Sequence, residues 1–411
     1  MLKEFKSITK SRNAVLLLLA SATSTSGDWL YATGLSVVLY KLGSLKTLAF
    51  LTSFRFACMI FLMPIGGAIV ENFSKKSIMI YSDLLRFLAM LLLSFEVFKS
   101  NSSLITITIL SCFTSIVGVF FSPARRAILP QVVTEDKRNT LNALDGSIGT
   151  IILTIAPAMA GILLLKYSSG IIFLINALSF LISAIFLLFI KFKELNPEVN
   201  SKSNFSFNNW VAELIEGGSE ILSNPFILIV TALAFSSHVA VGATWILIPA
   251  ISNKLQLGDS SIGILSSFIG VGSIFGMIVG GKSNKKLHLE IAMLAVLLLA
   301  LTLFCFSLNS IFLKISYVLM FLLGFFANVF EPICWTILQN KTPIKKYSRV
   351  FSTFDAIALI GMLIGTNVTA FFIEKNGFNF GVLVNSLTMI FLVFSCILIY
   401  KKNNKLRNYE L

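Results

Sequence analysis

Residues 66 to 86 read GGAIVENFSKKSIMIYSDLLR, and this stretch decides the fold. A long apolar run ends at Val70, a short charged loop covers residues 71–76, and a second apolar run then begins. The second run carries Asp83 and Arg86 in its first turns. Two helices that are long enough to cross a membrane and are joined by so short a loop must be antiparallel neighbours.

The same pattern returns 209 residues further along the chain. The matched pairs at this spacing are Gly67 with Gly276, Ser74 with Ser283, Lys76 with Lys285, Pro123 with Pro332, Ile128 with Ile337, Leu129 with Leu338 and Lys137 with Lys346. They fall in two separate loops with no change of register. This agreement predicts two similar halves of about six helices each.

The composition is that of an integral membrane protein, with 56% hydrophobic and 13% charged residues. A soluble chain carries about a quarter charged residues. The net charge of +14 lies in short loops between apolar runs. That placement is typical of loops at the inner leaflet of a bilayer, so we expect the lipid bilayer and no nucleic acid as a partner.

Twelve apolar runs approach or exceed the roughly 20 residues that a spanning helix needs. They cover residues 14–40, 47–70, 77–98, 103–124, 141–165, 170–191, 225–252, 260–281, 288–309, 312–338, 350–373 and 378–400. None alternates apolar and polar residues as a membrane β-strand does. The predicted fold class is an all-α membrane protein with twelve transmembrane helices in two pseudo-symmetric six-helix bundles.

The longest polar stretch, residues 193–224, separates the predicted bundles at residues 1–192 and 225–411. Its first part is rich in Asn, Ser and Lys and reads as a cytoplasmic linker. In its second part, Trp210 and Leu214 are spaced against Glu213 and Glu216. This spacing predicts an amphipathic helix that lies on the inner membrane surface.

Lys and Arg residues predict the orientation in the membrane. One set of predicted segments holds 24 of these residues, the opposite set holds 7, and Arg55 and Arg86 fall within spans. We therefore expect a multi-pass protein of the cell membrane with both termini in the cytoplasm.

Motifs for catalysis or cofactor binding are missing from the sequence. The five cysteines are widely spaced in apolar runs, which supports no metal site. There is no P-loop, no HExxH and no G-x-S-x-G. The sequence predicts neither a cofactor nor an enzyme.

Charged side chains inside spans are costly and are therefore candidates for function. At about 1.5 Å per helical residue, Asp28, Arg55 and His238 lie at similar depths near the midplane. Asp28 has two interpretations: a protonatable carboxylate that alternates between solvent and Arg55, or a permanent clasp with Arg55 between neighbouring helices. His238 fits packing as well as proton coupling, and Glu331 in the tenth span is a further candidate for proton coupling.

Spans one, seven and ten each place polar and aromatic side chains on one helical face. The candidate residues for lining a substrate cavity are Ser24, Tyr31, Trp245, Asn328 and Trp335. Interhelical hydrogen bonds and interfacial aromatic residues are the alternative interpretation of the same pattern.

Small residues are concentrated in spans five and eight. Those of span five are Gly146, Gly149, Ala156, Ala160 and Gly161, with Pro157 among them, and those of span eight are Gly263, Gly270, Gly272, Gly276, Gly280 and Gly281. Small residues let helices approach closely. The pattern fits either an interface that rocks or tight static packing.

Several stretches resemble the major facilitator superfamily, and within it the drug:proton antiporter group that includes macrolide efflux proteins and exporters of siderophores and peptide antibiotics. The stretches are residues 26–30 (SGDWL), Arg55 with Pro64, residues 67–76 followed by residues 82–86 (SDLLR), residues 121–130 (FSPARRAILP) and residues 142–144 (NAL). The likeness covers nearly the whole chain. It implies two six-helix bundles around a central cavity formed by helices one, four, seven and ten.

The resemblance also implies a gate at the first inner loop. The loop motif of the family is G-x-x-x-D-R-x-G-R-R, to which Gly67, Glu71 and the pair Lys75 and Lys76 correspond, while Asn72 and Ser74 depart from it. We assign Gly67, Glu71, Lys75, Lys76, Asp83 and Arg86 to this conformational gate. By resemblance, Glu71 reaches the start of helix eleven, near Val350.

A second family motif, G-P-x-x-G-G in helix five, is typical of antiporters. It corresponds here to residues 156–161 (APAMAG), in which small size is kept. The sequence therefore predicts a monomeric secondary transporter that exports a small amphipathic molecule by alternating access in exchange for protons. The alternatives are a dedicated exporter of a siderophore or peptide metabolite made by the cell, and a non-transporting membrane receptor on the same scaffold.

Overall fold

The computed structural model describes residues 8, 11–99, 101–134, 137–191, 207–283, 288–308, 313–343 and 346–402. This part of the chain forms thirteen α-helices and a short 3-10 turn, Leu129–Gln131, with no β-strand. The helices are α1 (Arg12–Leu42), α2 (Leu45–Asn72), α3 (Lys75–Phe98), α4 (Leu104–Ile128), α5 (Arg138–Lys166), α6 (Ser169–Leu188), α7 (Phe207–Ser223), α8 (Pro225–Lys254), α9 (Ser260–Gly281), α10 (His288–Ser307), α11 (Leu313–Lys341), α12 (Tyr347–Asn376) and α13 (Phe378–Lys402).

The predicted all-α membrane fold is confirmed. Helices α1–α6 and α8–α13 correspond in order to the twelve predicted spans. Among the described residues, eleven helices are long and apolar enough to cross a membrane, and these are α2–α6 and α8–α13. Helix α1 has 31 residues but a lower hydropathy, because the polar stretch from Ser21 to Asp28 interrupts it.

Polar side chains start several of these helices where the chain leaves a loop. Ser74 accepts a hydrogen bond from the Ser77 backbone N–H at the start of α3, and Ser103 does the same for Thr106 at the start of α4. Such caps satisfy backbone donors that have no partner within the helix. Gly377 adopts φ 89°, a backbone conformation that favours glycine, and ends α12.

The chain forms two compact units, each built from segments that are not consecutive in the sequence. Unit 1 comprises Met1–Gly43, Ala57–Phe205 and Ile262–Ile264, and unit 2 comprises Ser44–Phe56, Ser206–Ser261 and Leu265–Leu411. In unit 1, α6 packs against α1 and α3, while α4 packs against α3 and α5 against α1. In unit 2, α8 packs against α12, and α10 packs against α11 and α13.

Glycines set the close helix contacts of unit 2. A Cβ atom added to Gly272, Gly276 or Gly280 of α9 would lie within 2.4 Å of a backbone carbonyl oxygen of α11. A Cβ atom at Gly242 of α8 would lie 2.1 Å from the Met362 carbonyl oxygen of α12, and one at Gly365 of α12 would lie 2.1 Å from the Val239 carbonyl oxygen of α8. The glycines of α9 that meet α11 therefore fit tight packing within one unit, which was one of the two predicted interpretations.

The helix predicted in the linker is present as α7, and it is attached to the start of α12. Glu220 accepts from Lys346 at 2.6 Å, and Glu216 pairs with Arg349. Leu222 and Ile215 are about 70% exposed. The predicted position of α7 on the inner membrane surface remains a prediction, and so do the domain limits at residues 192 and 225.

Candidate functional site

A buried charge cluster in unit 1 contains Asp28 of α1, Asp83 and Arg86 of α3, and Ser183 of α6. The Nη2 atom of Arg86 donates to Oδ1 of Asp83 at 2.6 Å, and its Nη1 atom lies 3.5 Å from Oδ2 of Asp28. The Ser183 hydroxyl donates to Oδ2 of Asp83 at 2.6 Å. The cluster joins three helices at one place inside the unit.

Local sequence explains how these side chains meet. Asp83 and Arg86 are three residues apart, so they share a face of α3. On α1, a Cβ atom at Gly27 would lie 2.0 Å from the Ser179 hydroxyl oxygen, so only glycine lets α6 come this close. Asp28, the next residue, then faces Arg86.

The two carboxylates of the cluster differ in how far their side chains are exposed. Asp83 is 0% exposed and the side chain of Arg86 is 5% exposed, whereas that of Asp28 is 39% exposed. The guanidinium carbon of Arg86 lies 4.7 Å from the ring centre of Phe121 and 4.1 Å from that of Phe180. Two acidic groups therefore share one cation held between aromatic rings, and Asp28 is the more exposed of the two.

A second ion pair in unit 1 was not predicted from the sequence. Nη1 of Arg125 on α4 donates to both carboxylate oxygens of Asp145 on α5, and also to the Ser21 hydroxyl of α1 at 2.9 Å. The available signal was Asp145 itself, a carboxylate inside the predicted span 141–165. Arg125 lies one residue beyond the predicted span 103–124, so its position in the sequence does not indicate this partner.

The residues predicted for proton coupling fall in both units. Asp28 belongs to unit 1 and pairs with Arg86, while Arg55, His238 and Glu331 belong to unit 2. The predicted pairing of Asp28 with Arg55 therefore remains a prediction. Nδ1 of His238 is 2.8 Å from the Ala234 carbonyl oxygen of its own helix.

Glu331 has an aromatic partner one turn further along α11. Its Oε1 atom accepts the indole N–H of Trp335 at 2.8 Å. Trp335 in turn packs edge-on against Phe351 and Phe354 of α12. Glu331 and Trp335 thus form one polar and aromatic group, and the role of Glu331 in proton coupling remains a prediction.

The residues predicted to line a cavity have different surroundings. Ser24 and Tyr31 are buried, and Tyr31 packs edge-on against Phe173 within unit 1. The amide of Asn328 donates to Ser273 of α9, and Trp245 is half-buried on α8. The contact of Asn328 is of the interhelical type that was the alternative interpretation, and cavity lining remains a prediction for all five residues.

The predicted gate is described only in part. Nζ of Lys76 donates to the carbonyl oxygens of Leu188 and Ile190 at the end of α6, and Lys75 is buried. The surroundings of Gly67 and the side chain of Glu71 lie outside what the structure describes. Asp83 and Arg86 belong to the charge cluster, and the gate role of all six residues remains a prediction.

The small residues of α5 contact the first turn of α9 within unit 1. A Cβ atom at Gly263 would lie 2.2 Å from the Pro157 carbonyl oxygen and 2.5 Å from the Gly161 nitrogen. Ala156 and Ala160 are buried, whereas a Cβ atom at Gly149 would meet nothing within 4 Å. The part of α5 from residue 156 to residue 161 therefore forms a close helix contact.

A crevice of about 390 Å³ lies in unit 2, between the start of α2 and the end of α12. Its walls are formed by Lys46, Ala49, Asn367, Val368, Ala370, Phe371 and Phe372. None of them is a predicted cavity residue. Among the described side chains, no three His, Cys, Asp or Glu residues are grouped to hold a metal ion.

An all-helical fold with buried charges inside membrane-length helices is that of an integral membrane protein. The sequence matches the Major Facilitator Superfamily over residues 17–241 and again over residues 230–409, and the chain belongs to this family. It is a transporter and not an enzyme.

Relatives of this chain carry names of exporters. It is 26% identical over 360 residues to the "Putative bacilysin exporter BacE" of Bacillus subtilis, covering 86% of this chain and 87% of the relative. It is 24% identical over 380 residues to macrolide efflux protein A of Streptococcus pyogenes, covering 90% of both. The chain is similar to both over most of their length.

Solved structures of transporters share the fold at low sequence identity. The nucleoside transporter NupG superposes with a TM-score of 0.74 at 13% identity, covering 95% of this chain and 99% of that chain. A bacterial homologue of the lysosomal transporter Spinster, in an inward-facing and occupied conformation, gives a TM-score of 0.74 at 13% identity, with 96% and 98% covered. These likenesses show the major facilitator fold.

Proposed function

We propose that this protein exports a small amphipathic molecule across the cell membrane by alternating access, in exchange for protons. The observation that carries the proposal is Asp28, a half-exposed carboxylate on a spanning helix, 3.5 Å from Arg86 in a buried cluster. A carboxylate with one cation beside it can take and release a proton as that pair tightens and loosens. The exporter names of BacE and macrolide efflux protein A support the direction of transport.

Flux in everted membrane vesicles tests the proposal. We expect uptake of a labelled macrolide, erythromycin, or of bacilysin when respiration acidifies the vesicle lumen, because protons then leave the lumen in exchange for substrate, and we expect loss of uptake when a protonophore collapses the gradient. Uptake that is equal with and without the protonophore would contradict proton exchange. Absence of binding as well as of uptake for both probes would contradict the proposed substrates.

A dedicated exporter of a peptide metabolite is the second candidate. It is favoured by the similarity to BacE, at 26% identity over 86% of this chain. The two candidates differ in breadth of substrate. A dedicated exporter transports bacilysin and leaves erythromycin untouched, whereas a drug exporter lowers the accumulation of several unrelated amphipathic compounds.

The proposed orientation has both termini in the cytoplasm, and the proposed working unit is a monomer. The excess of Lys and Arg in one set of loops supports this orientation. Single cysteines at positions 202 and 254 test it in whole cells. An impermeant thiol reagent should label position 254 and not position 202, and the reverse pattern would contradict the orientation.

A further inference from the structure

We propose that Glu331, together with the rings of Trp335 and Phe351, forms a subsite for the cationic group of an amphipathic substrate. This inference rests on the proposed function and deepens it, because it names the charge that the exported molecule carries. It adds a role in substrate binding to the proton coupling predicted for Glu331. All three residues belong to unit 2.

Glu331 lies well inside a helix of membrane length. It precedes Lys341, the last residue of α11, by ten positions, which is about 15 Å along the helix axis. The side chain is half-buried, and its Oε1 atom accepts the indole N–H of Trp335 at 2.8 Å. A carboxylate at such a place is costly to ionise unless a cation compensates its charge.

Among the side chains that the structure describes, Glu331 has a neutral donor but no cationic partner. Other carboxylates on membrane-length helices are paired with a cation of the chain: Asp83 with Arg86, Asp145 with Arg125 and Glu374 with Lys46. The described part of the protein therefore leaves the charge of Glu331 uncompensated. A cation on a bound molecule would compensate it.

Aromatic rings surround the same carboxylate. The ring centre of Trp335 lies 5.6 Å from that of Phe351 and 5.6 Å from that of Phe354. Phe354 is buried, whereas Trp335 and Phe351 are half-buried and keep part of their surface exposed. Because ring faces attract cations and aromatic cages bind quaternary ammonium groups, this group of side chains fits a moiety that is both charged and apolar.

A second carboxylate adds to the negative charge of this region. Glu331 and Asp355 of α12 both act electrostatically on the buried thiol of Cys334. Asp355 is exposed and lies eight residues after Tyr347, the first residue of α12. Two carboxylates near one place favour a cation over an anion of similar shape.

Equilibrium binding of tetraphenylphosphonium to the purified protein in lipid nanodiscs tests the inference without any gradient. This probe is a permanent cation among apolar rings, so its charge is the same at every pH. We expect Glu331→Gln to weaken its binding by about tenfold or more, as the loss of a close opposite charge does. Tetraphenylborate, an anion of the same shape, should bind wild type more weakly than the cation and should lose no affinity in Glu331→Gln.

The ring of Trp335 is tested with two substitutions. Trp335→Leu removes both the ring and the indole donor, and it should weaken binding of tetraphenylphosphonium by about threefold or more. Trp335→Phe keeps a ring at this position and should retain more of the affinity than Trp335→Leu.

Glu290→Gln is the matched control. Glu290 is another carboxylate of unit 2, and its Oε1 atom accepts from a neutral aromatic donor, the Tyr400 hydroxyl, at 2.7 Å. It lies in the first turn of α10, where the helix N-terminus stabilises a negative charge. Its substitution should leave the binding of tetraphenylphosphonium unchanged.

The outcomes separate this inference from the proposed function. The inference is overturned if wild type does not bind tetraphenylphosphonium, if Glu331→Gln binds it as tightly as wild type, or if Glu331→Gln weakens both probes equally. If Glu331→Gln does not fold, unchanged binding in Trp335→Leu overturns it. If the charge-dependent loss occurs but no proton-driven flux of erythromycin or bacilysin is found, the proposed function alone fails.

Discussion

The Nη1 atom of Arg125 donates to both carboxylate oxygens of Asp145, at 2.6 and 2.7 Å, and this ion pair joins α4 to α5 inside unit 1. The same atom donates to Ser21 of α1, so three helices meet at one arginine. Both charged side chains are about one-fifth exposed. Removing one partner of such an ion pair destabilises the protein mainly because the charge of the other partner is left uncompensated.

We therefore expect Asp145→Asn to destabilise the protein by about 1–3 kcal/mol, between the values for exposed and buried pairs. The reason is that Arg125 keeps its charge and loses its anion. Thermal unfolding in detergent measures the effect, and Ser21→Ala, which removes one hydrogen bond, is the milder control. The double variant Arg125→Gln with Asp145→Asn should recover part of the loss, and equal stability of Asp145→Asn and wild type would contradict the prediction.

In unit 2, an ion pair joins the start of α2 to the end of α12, and these two helix ends border the crevice. Nζ of Lys46 lies 2.9 Å from Oε2 of Glu374, and the Lys46 backbone N–H donates to Oε1 of the same residue at 2.9 Å. Further along, the Asn367 amide donates to Ser53 at 2.6 Å. If alternating access separates α2 from α12 here, these contacts must break in every cycle.

Cross-linking tests this requirement. We expect the pair Lys46→Cys and Glu374→Cys, in a background without the five native cysteines, to stop export once a disulfide has formed. Reduction should restore export, and each single cysteine should be insensitive to oxidant. Full export by the cross-linked protein would show that the two ends stay together during transport.

The contacts of α7 predict a role for its glutamates in holding the linker helix in place. Glu216 and Glu220 pair with Arg349 and Lys346 at the start of α12. Neutralising both glutamates with Glu216→Gln and Glu220→Gln should raise amide hydrogen exchange across residues 207–223 several-fold, since exposed pairs contribute about 0.2–1 kcal/mol each. Glu213→Gln, an exposed change on the same helix, should have no such effect, and equal exchange in the two variants would refute the attachment.

Because α8 packs closely on α12, a single added methyl group is expected to lower the stability of the protein. A Cβ atom at Gly242 would lie 2.1 Å from the Met362 carbonyl oxygen, so the helices must move apart to admit it. We expect Gly242→Ala to cost about 1–3 kcal/mol of stability, as overpacking does. Gly149→Ala has open space around it and should be neutral or slightly stabilising. Similar melting temperatures for the two variants would contradict this account.

The helices could be predicted because their signal is local. Apolar runs of membrane length between short charged loops specify spanning helices without reference to the rest of the chain. Even α1, whose polar residues lower its hydropathy, was predicted from its continuous length. The linker helix α7 was predicted in the same way, from the spacing of its apolar and acidic residues.

The partners of the charged residues could not be predicted in full, because they depend on which helix faces which. Depth estimates placed Asp28 level with Arg55, but they contain no information on helix rotation or on the approach of α3 and α6 to α1. The approach of α6 to α1 depends on Gly27, which lies beside Asp28, and a glycine in a predicted span does not by itself show which helix packs against it. The pairing of Arg125 could not be predicted, because Arg125 lies just beyond the predicted span 103–124 and nothing in the sequence shows that its side chain reaches α5.

The central claim is that Asp28 takes and releases the proton that drives export. Its most direct test compares uphill transport with substrate counterflow in vesicles carrying wild type or Asp28→Asn, with erythromycin and bacilysin as probes. Asparagine fixes the site in a neutral form, so we expect uphill transport to vanish while counterflow, which needs no net proton movement, persists. Uphill transport by Asp28→Asn at the wild-type rate would contradict the claim.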